Sequence, residues 1–222
     1  MWVKMSSRWV FVLALVVACG GGSDQSTVGG TYGPGGVTPV QAVDQLVDAL
    51  NTPDFAAAAD FAVPGQPALA SLAEGATFSQ VADALREGDR AVAANFWAGF
   101  AQGAGGFLVG EVETILGPVI NQGEVEFSAV EVASDAGGRR VYLRDVDGFR
   151  VDLFASFGPG LADQMAPQVG RLLTTQTDDA RLILRSLQDI VPSLFVAAAQ
   201  PGLSPEAVQD LIRLIELITR VG

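Results

Sequence analysis

The apolar residues of this chain change period twice, and this restricts the fold more than any other feature. From Val40 to Phe100 they recur at helical spacing, from Glu111 to Ala155 they alternate, and from Leu161 they return to helical spacing. Helices, then strands, then helices again is an α+β order.

The first block carries clear start and stop signals. Thr38 is an N-cap with Pro39 at the first helical position, and Gln41 completes a capping box. Val40, Val43, Leu46, Val47 and Leu50 share one face of that helix. Asp54 starts a short helix through Phe55 and Ala58, which Pro64 ends. A helix is expected over Phe78 to Glu87, stopped by Gly88. Asp89 is read as the cap of the next helix, which buries Val92, Phe96, Trp97 and Phe100.

Strand character follows at Glu111 to Leu116 and Glu124 to Val132, and the clearest hairpin pairs Arg140–Asp145 with Phe149–Ala155. A three-residue loop, Val146-Asp147-Gly148, sets Leu143 opposite Val151 and Val141 opposite Leu153 on an apolar face. Arg144 then meets Arg150, and Tyr142 meets Asp152, on an exposed face. Gly148 takes the left-handed position of such a loop. Two opposed arginines repel, which Glu124 and Glu126 on a neighbouring strand would offset.

Gly158-Pro159-Gly160 reads as a break. Helices follow near Leu161 to Thr174, Asp178 to Ala199 with a bend at Pro192, and Pro205 to Val221 after the cap Ser204. Apolar residues cover roughly 220° of the last helix, so two-sided burial is expected.

Cys19 is the only cysteine. It follows Val16-Val17-Ala18 and precedes three glycines. Residues 1 to 18 read as a signal peptide: Lys4 and Arg8 supply positive charge, Trp9 to Val17 an apolar stretch, and Ala18 the small residue before a cleavage site. The apolar run is about half of the ~20 residues that a spanning helix needs. The segment resembles the lipobox of bacterial lipoproteins. That resemblance implies a diacylglycerol on the Cys19 sulfur, cleavage before it, and a chain held by lipid to the outer side of a cell membrane. Residues 19–36 hold eight glycines between Gly20 and Gly36, which predicts a flexible tether. Residues 37–222 are then one globular domain.

Charge and composition remove function classes. The net charge is −12, and −14 for residues 19–222, where 11 Arg face 25 Asp and Glu. Nucleic acid is therefore not an expected partner. The chain has no histidine and its only lysine is Lys4. Ser-His-Asp and Cys-His catalysis, most catalytic zinc sites and Schiff-base chemistry lack their residues. Asp145-Val146-Asp147-Gly148 in EF-hand register would place Leu143 and Phe154 at ligand positions, so it is a turn. Glu111/Glu113 and Glu124/Glu126 read as solvated strand faces. No catalytic residue, metal site or cofactor is assigned.

Thr38-Pro39, Ala42-Val43, Leu46, Ala49-Leu50 and Asp54-Phe55-Ala56-Ala57-Ala58 resemble the opening helix pair of small NTF2-like (cystatin-like) lipoproteins. Asp147-Gly148-Phe149-Arg150-Val151-Asp152 resembles their late hairpin. The resemblance implies N-terminal helices packed on a curved antiparallel sheet over about 38–157. A helical extension over about 160–222 departs from that family. Family sheets of this kind form a cone. Phe96, Trp97 and Phe100 are read as core packing, with the lining of a ligand pocket as the alternative. The expected activity is non-catalytic: a lipid-anchored binding or scaffold protein for a small apolar ligand or an envelope protein. The alternatives are a carboxylate enzyme of the ketosteroid-isomerase type, using an Asp or Glu with Tyr142, and a structural envelope protein without a ligand.

Overall fold

The computed structural model describes residues 32–92, 94–135 and 137–220. Cys19, the leader over 1–18 and the tether as far as residue 31 lie outside the described residues.

N-terminal helices, a four-stranded antiparallel sheet and a C-terminal set of helices follow one another in the chain. The first helices are α1 (Pro39–Asn51), α2 (Phe55–Asp60), α3 (Gln66–Ala70), α4 (Phe78–Glu87) and α5 (Ala94–Gln102). The Thr38 hydroxyl accepts from the Gln41 amide at 3.2 Å, while the Gln41 side chain accepts from Val37, one residue before the cap. Thr77 and Gln80 form the reciprocal capping box at the start of α4, and Gly88 ends it.

The sheet is a meander of β1 (Glu113–Gln122), β2 (Val125–Ser134), β3 (Gly137–Asp145) and β4 (Phe149–Val151), in that order. Leu143 pairs with Val151, Arg144 with Arg150 and Asp145 with Phe149, so the loop is Val146-Asp147-Gly148 as expected. Gly148 has φ +97°, and Asp147 is also left-handed at φ +53°. The Asp145 carboxylate braces the turn by accepting from the Gly148 amide at 3.2 Å.

One face of the sheet carries Val130, Val132, Val141, Leu143 and Val151 into the main core, against Val43, Leu46 and Leu50 of α1. The other face was expected to be exposed. It carries Phe127, Ala129 and Tyr142 into a second apolar cluster with Ala155 and Val196. Tyr142 is 2% exposed and Asp152 fully buried, so their pairing on a solvated face is corrected. The reason is that helices from the last third fold over that face.

The second correction concerns where those helices begin. Strand β4 stops at Val151, and Asp152 caps helix α6 (Leu153–Thr174) by accepting from the Ala155 amide at 2.8 Å. Gly158-Pro159-Gly160 therefore lies inside a helix. Pro159 has no N–H for the Ala155 carbonyl four residues back. The Gln200 side-chain amide donates to that carbonyl instead. A Cβ on Gly158 would stand 3.1 Å from the Ala197 methyl and 3.3 Å from a Leu211 methyl. The glycine thus lets two helices approach α6 closely.

Those helices belong to the C-terminal set of α7 (Asp178–Gln188), α8 (Val191–Ala198) and α9 (Pro205–Thr219). The expected single bent helix is two helices, since Pro192 opens a new one after the turn at Asp189–Ile190. Helix α9 starts at its predicted cap, Ser204. It buries Leu211, Leu214, Ile215 and Ile218, but Ile212 is 48% exposed, so it is covered on one side only.

Candidate functional site

Phe96, Trp97 and Phe100 come together on α5, with ring centroids 5.1 to 6.1 Å apart. Phe157 of α6 closes on Phe100 at 4.8 Å, edge to face. The three are 3%, 0% and 3% exposed. Of the three, Phe96 borders a cavity of about 430 Å³ beside α4, among Glu74, Gln80 and Asp83. Trp97 and Phe100 are packed on other side chains, including Phe157. This is core packing, where offset and edge-to-face pairs each add about 0.5–1.5 kcal/mol.

Buried charge is concentrated where the N-terminal segment meets the domain. Residues 33–36 were expected in the tether, yet they are held. The Gly36 backbone exchanges hydrogen bonds with Phe149 at 2.9 and 2.8 Å, and the Gly33 amide donates to Asp60 at 2.9 Å. Arg150 is 2% exposed, and its guanidinium donates to the carbonyls of Gly33, Asp60 and Val146. It thus ties three chain segments together. Register sets Arg150 opposite Arg144, but their charges diverge: Arg144 lies 3.9 Å from Asp152. It also shares a small cavity with Glu124 and Glu126, with neither of which it forms an ion pair among the described residues. Burial works against charge on Asp60, but hydrogen bonds from Arg90 and Gly33 and the Arg90 charge outweigh it and hold the carboxyl below its usual value.

Asp89 does not cap its own helix. It is fully buried and accepts from the Gly65 and Ala68 amides at 2.6 and 3.1 Å, capping α3 from a distance. Burial pushes its carboxyl up to about 7, against the pull of those two amides and of Arg150. The buried Tyr32 hydroxyl sits near it, outside hydrogen-bond geometry. Burial also raises Asp152, whose carboxylate accepts from Ser193 at 2.7 Å as well as from Ala155. Neither Asp89 nor Asp152 lines any of the cavities described above or below. Tyr142 borders a groove of about 680 Å³ with Glu131, Arg139, Arg140 and Gln200, where the Glu131 carboxylate is paired with Arg140. The arrangement keeps these acids as pins of the fold.

The surface feature that sequence reasoning missed is β1. Ile115, Leu116 and Val119 are 67%, 62% and 56% exposed. Strand β1 ends the sheet, and its outer backbone has no backbone partner among the described residues. The signal was present: Thr114-Ile115-Leu116-Gly117-Pro118-Val119-Ile120 is apolar on both faces, and an internal proline marks an edge strand. Beside the start of β1, a groove of about 830 Å³ is lined by Asp44, Asp48, Glu111, Glu113 and Asp135, with no Arg or Lys in its walls among the described residues. The Asp44 carboxylate accepts from Thr114 at 3.0 Å. Among the described residues no three carboxylates converge as a metal-holding group.

Compared with family models, with curated proteins and with solved structures, the chain matches none.

Proposed function

We propose that this chain is a lipid-anchored, extracytoplasmic docking protein with no catalytic role of its own, its sheet and N-terminal helices being an NTF2-like core. The observation that carries this reading is the contrast between a filled interior and an open edge. Of the three aromatic residues available to line a pocket, Trp97 and Phe100 are packed on one another and on neighbouring rings, and Phe96 alone borders one of the cavities described. The two fully buried acids with raised pKa values, Asp89 and Asp152, have their oxygens engaged by backbone amides and Ser193, and neither lines a cavity described above. Exposed apolar surface remains on β1, where a partner protein rather than a small apolar ligand would bind.

The lipobox around Cys19 supports the anchor. No helix among the described residues is long and apolar enough to cross a membrane. The helices-then-meander order supports the NTF2-like core, with the helical extension beginning at Asp152. Native mass spectrometry of the full chain, extracted from its own membranes in non-ionic detergent, tests the docking role. A stoichiometric protein partner is expected. A chain that emerges alone, or carrying only a small molecule, contradicts it.

A further inference from the structure

We propose that the free edge of β1 receives an extended, basic segment of a partner protein, which joins the sheet as a fifth strand. This rests on the docking reading above and names the chemistry of the partner. An edge strand presents a row of unpaired N–H and C=O groups, and an added strand satisfies them. Natural edges are commonly blunted by charged side chains. Here the rung from Glu113 to Leu116 ends in two exposed apolar residues, Ile115 and Leu116.

Register assigns the faces. Thr114 and Leu116 pair with Val132 and Val130 and share the α1 face, while Ile115 pairs with Glu131 and points to the other. A segment lying along this rung meets apolar surface beside Leu116 on the α1 face and beside Ile115 on the opposite one. Toward the start of β1 its side chains reach the groove of Asp44, Asp48, Glu111, Glu113 and Asp135. None of these five carboxylates is in an ion pair among the described residues. Arg or Lys at that end of the segment and Val or Ile at the other complete the complement.

A second copy of this chain is the wrong occupant. Pairing two β1 edges brings two such acidic grooves together, and residues 19–222 carry 25 acids against 11 arginines. The register shift between Leu116 and Val119 also divides the edge into two short rungs. That interruption disfavours long self-pairing while leaving the first rung open.

The test uses the full chain in non-ionic detergent and two synthetic eight-residue peptides. One carries Arg alternating with Thr in its first half and Val in its second, and the other has Glu in place of each Arg. The Arg peptide is expected to bind saturably by fluorescence anisotropy, at least tenfold more tightly than the Glu peptide, and to slow hydrogen exchange of residues 113–116. Ile115→Lys should weaken binding at least tenfold. So should the combined Asp48→Asn, Glu111→Gln, Glu113→Gln variant, which leaves the apolar edge intact. Circular dichroism checks that both variants remain folded. No saturable binding, equal binding of the two peptides, insensitivity to both variants, or a β1-dependent homodimer in sedimentation would each overturn the proposal. A native partner retained by Ile115→Lys would overturn it while leaving the docking reading intact. Absence of any partner from wild-type membranes defeats the docking reading itself.

Discussion

Replacing Asp89 by Asn should remove most of one pH dependence from the stability of this protein. Burial raises the folded-state carboxyl to about 7, against a usual value of 3.8. Below the lower value both folded and unfolded chains hold the proton, and Asp89 contributes no penalty. Above it the unfolded chain loses its proton while the folded chain keeps it. Stability therefore falls as pH rises, and it levels off once the folded carboxyl has ionised above about pH 7. Between pH 5 and pH 8 the linkage relation gives a loss of about 2–3 kcal/mol from this residue. Asn cannot ionise, and its side-chain oxygen still accepts from the Gly65 or Ala68 amide that caps α3. Urea unfolding, followed by the fluorescence of buried Trp97, is measured for both proteins at pH 5 and pH 8. The Asn variant should gain about 2–3 kcal/mol relative to wild type between the two pH values, with unchanged m-values. Parallel pH dependences would refute the reasoning, because Asp89 would then titrate alike folded and unfolded.

Two further substitutions probe how the elements are joined. Gly158→Val places a branched side chain where even a Cβ stands 3.1 Å from Ala197, so it should cost about 1–3 kcal/mol in urea unfolding by prising α8 and α9 from α6. If stability is unchanged, the close approach is not what Gly158 provides. Arg150→Met strips the guanidinium from the Gly33, Asp60 and Val146 carbonyls, for a loss of about 2–4 kcal/mol. Limited proteolysis should then cleave near Gly33–Gly36 well before wild type is touched, and equal cleavage rates would count against its pinning role.

The parts of the fold readable in the sequence were those fixed by neighbouring residues. Thr38, Gly88 and Ser204 cap or stop their helices where local chemistry placed them. The loop at Val146–Gly148 followed from which register keeps Leu143 and Val151 on one face. What escaped depends on distant partners. Asp152-Leu153-Phe154-Ala155 alternates like a strand, but the helical spacing of Phe154, Phe157, Leu161, Met165, Val169 and Leu172 continues through Pro159. That continuation is possible because Gln200, 45 residues away, serves the carbonyl that proline leaves free. Asp89 looked like the cap of its own helix, and nothing local says that it caps α3. Tyr142 and Arg150 looked exposed because the helix and the N-terminal segment that bury them are not their sequence neighbours. At the candidate site, the apolar run of β1 was visible and the missing strand partner on its outer edge was not.

The membrane address concentrates on one sulfur, and fractionation of cells expressing wild type and Cys19→Ala tests it most directly. The account predicts wild type in the membrane pellet, extracted only by detergent, and Cys19→Ala released as free protein. Cys19→Ala that remains in the pellet to the same extent as wild type would contradict it.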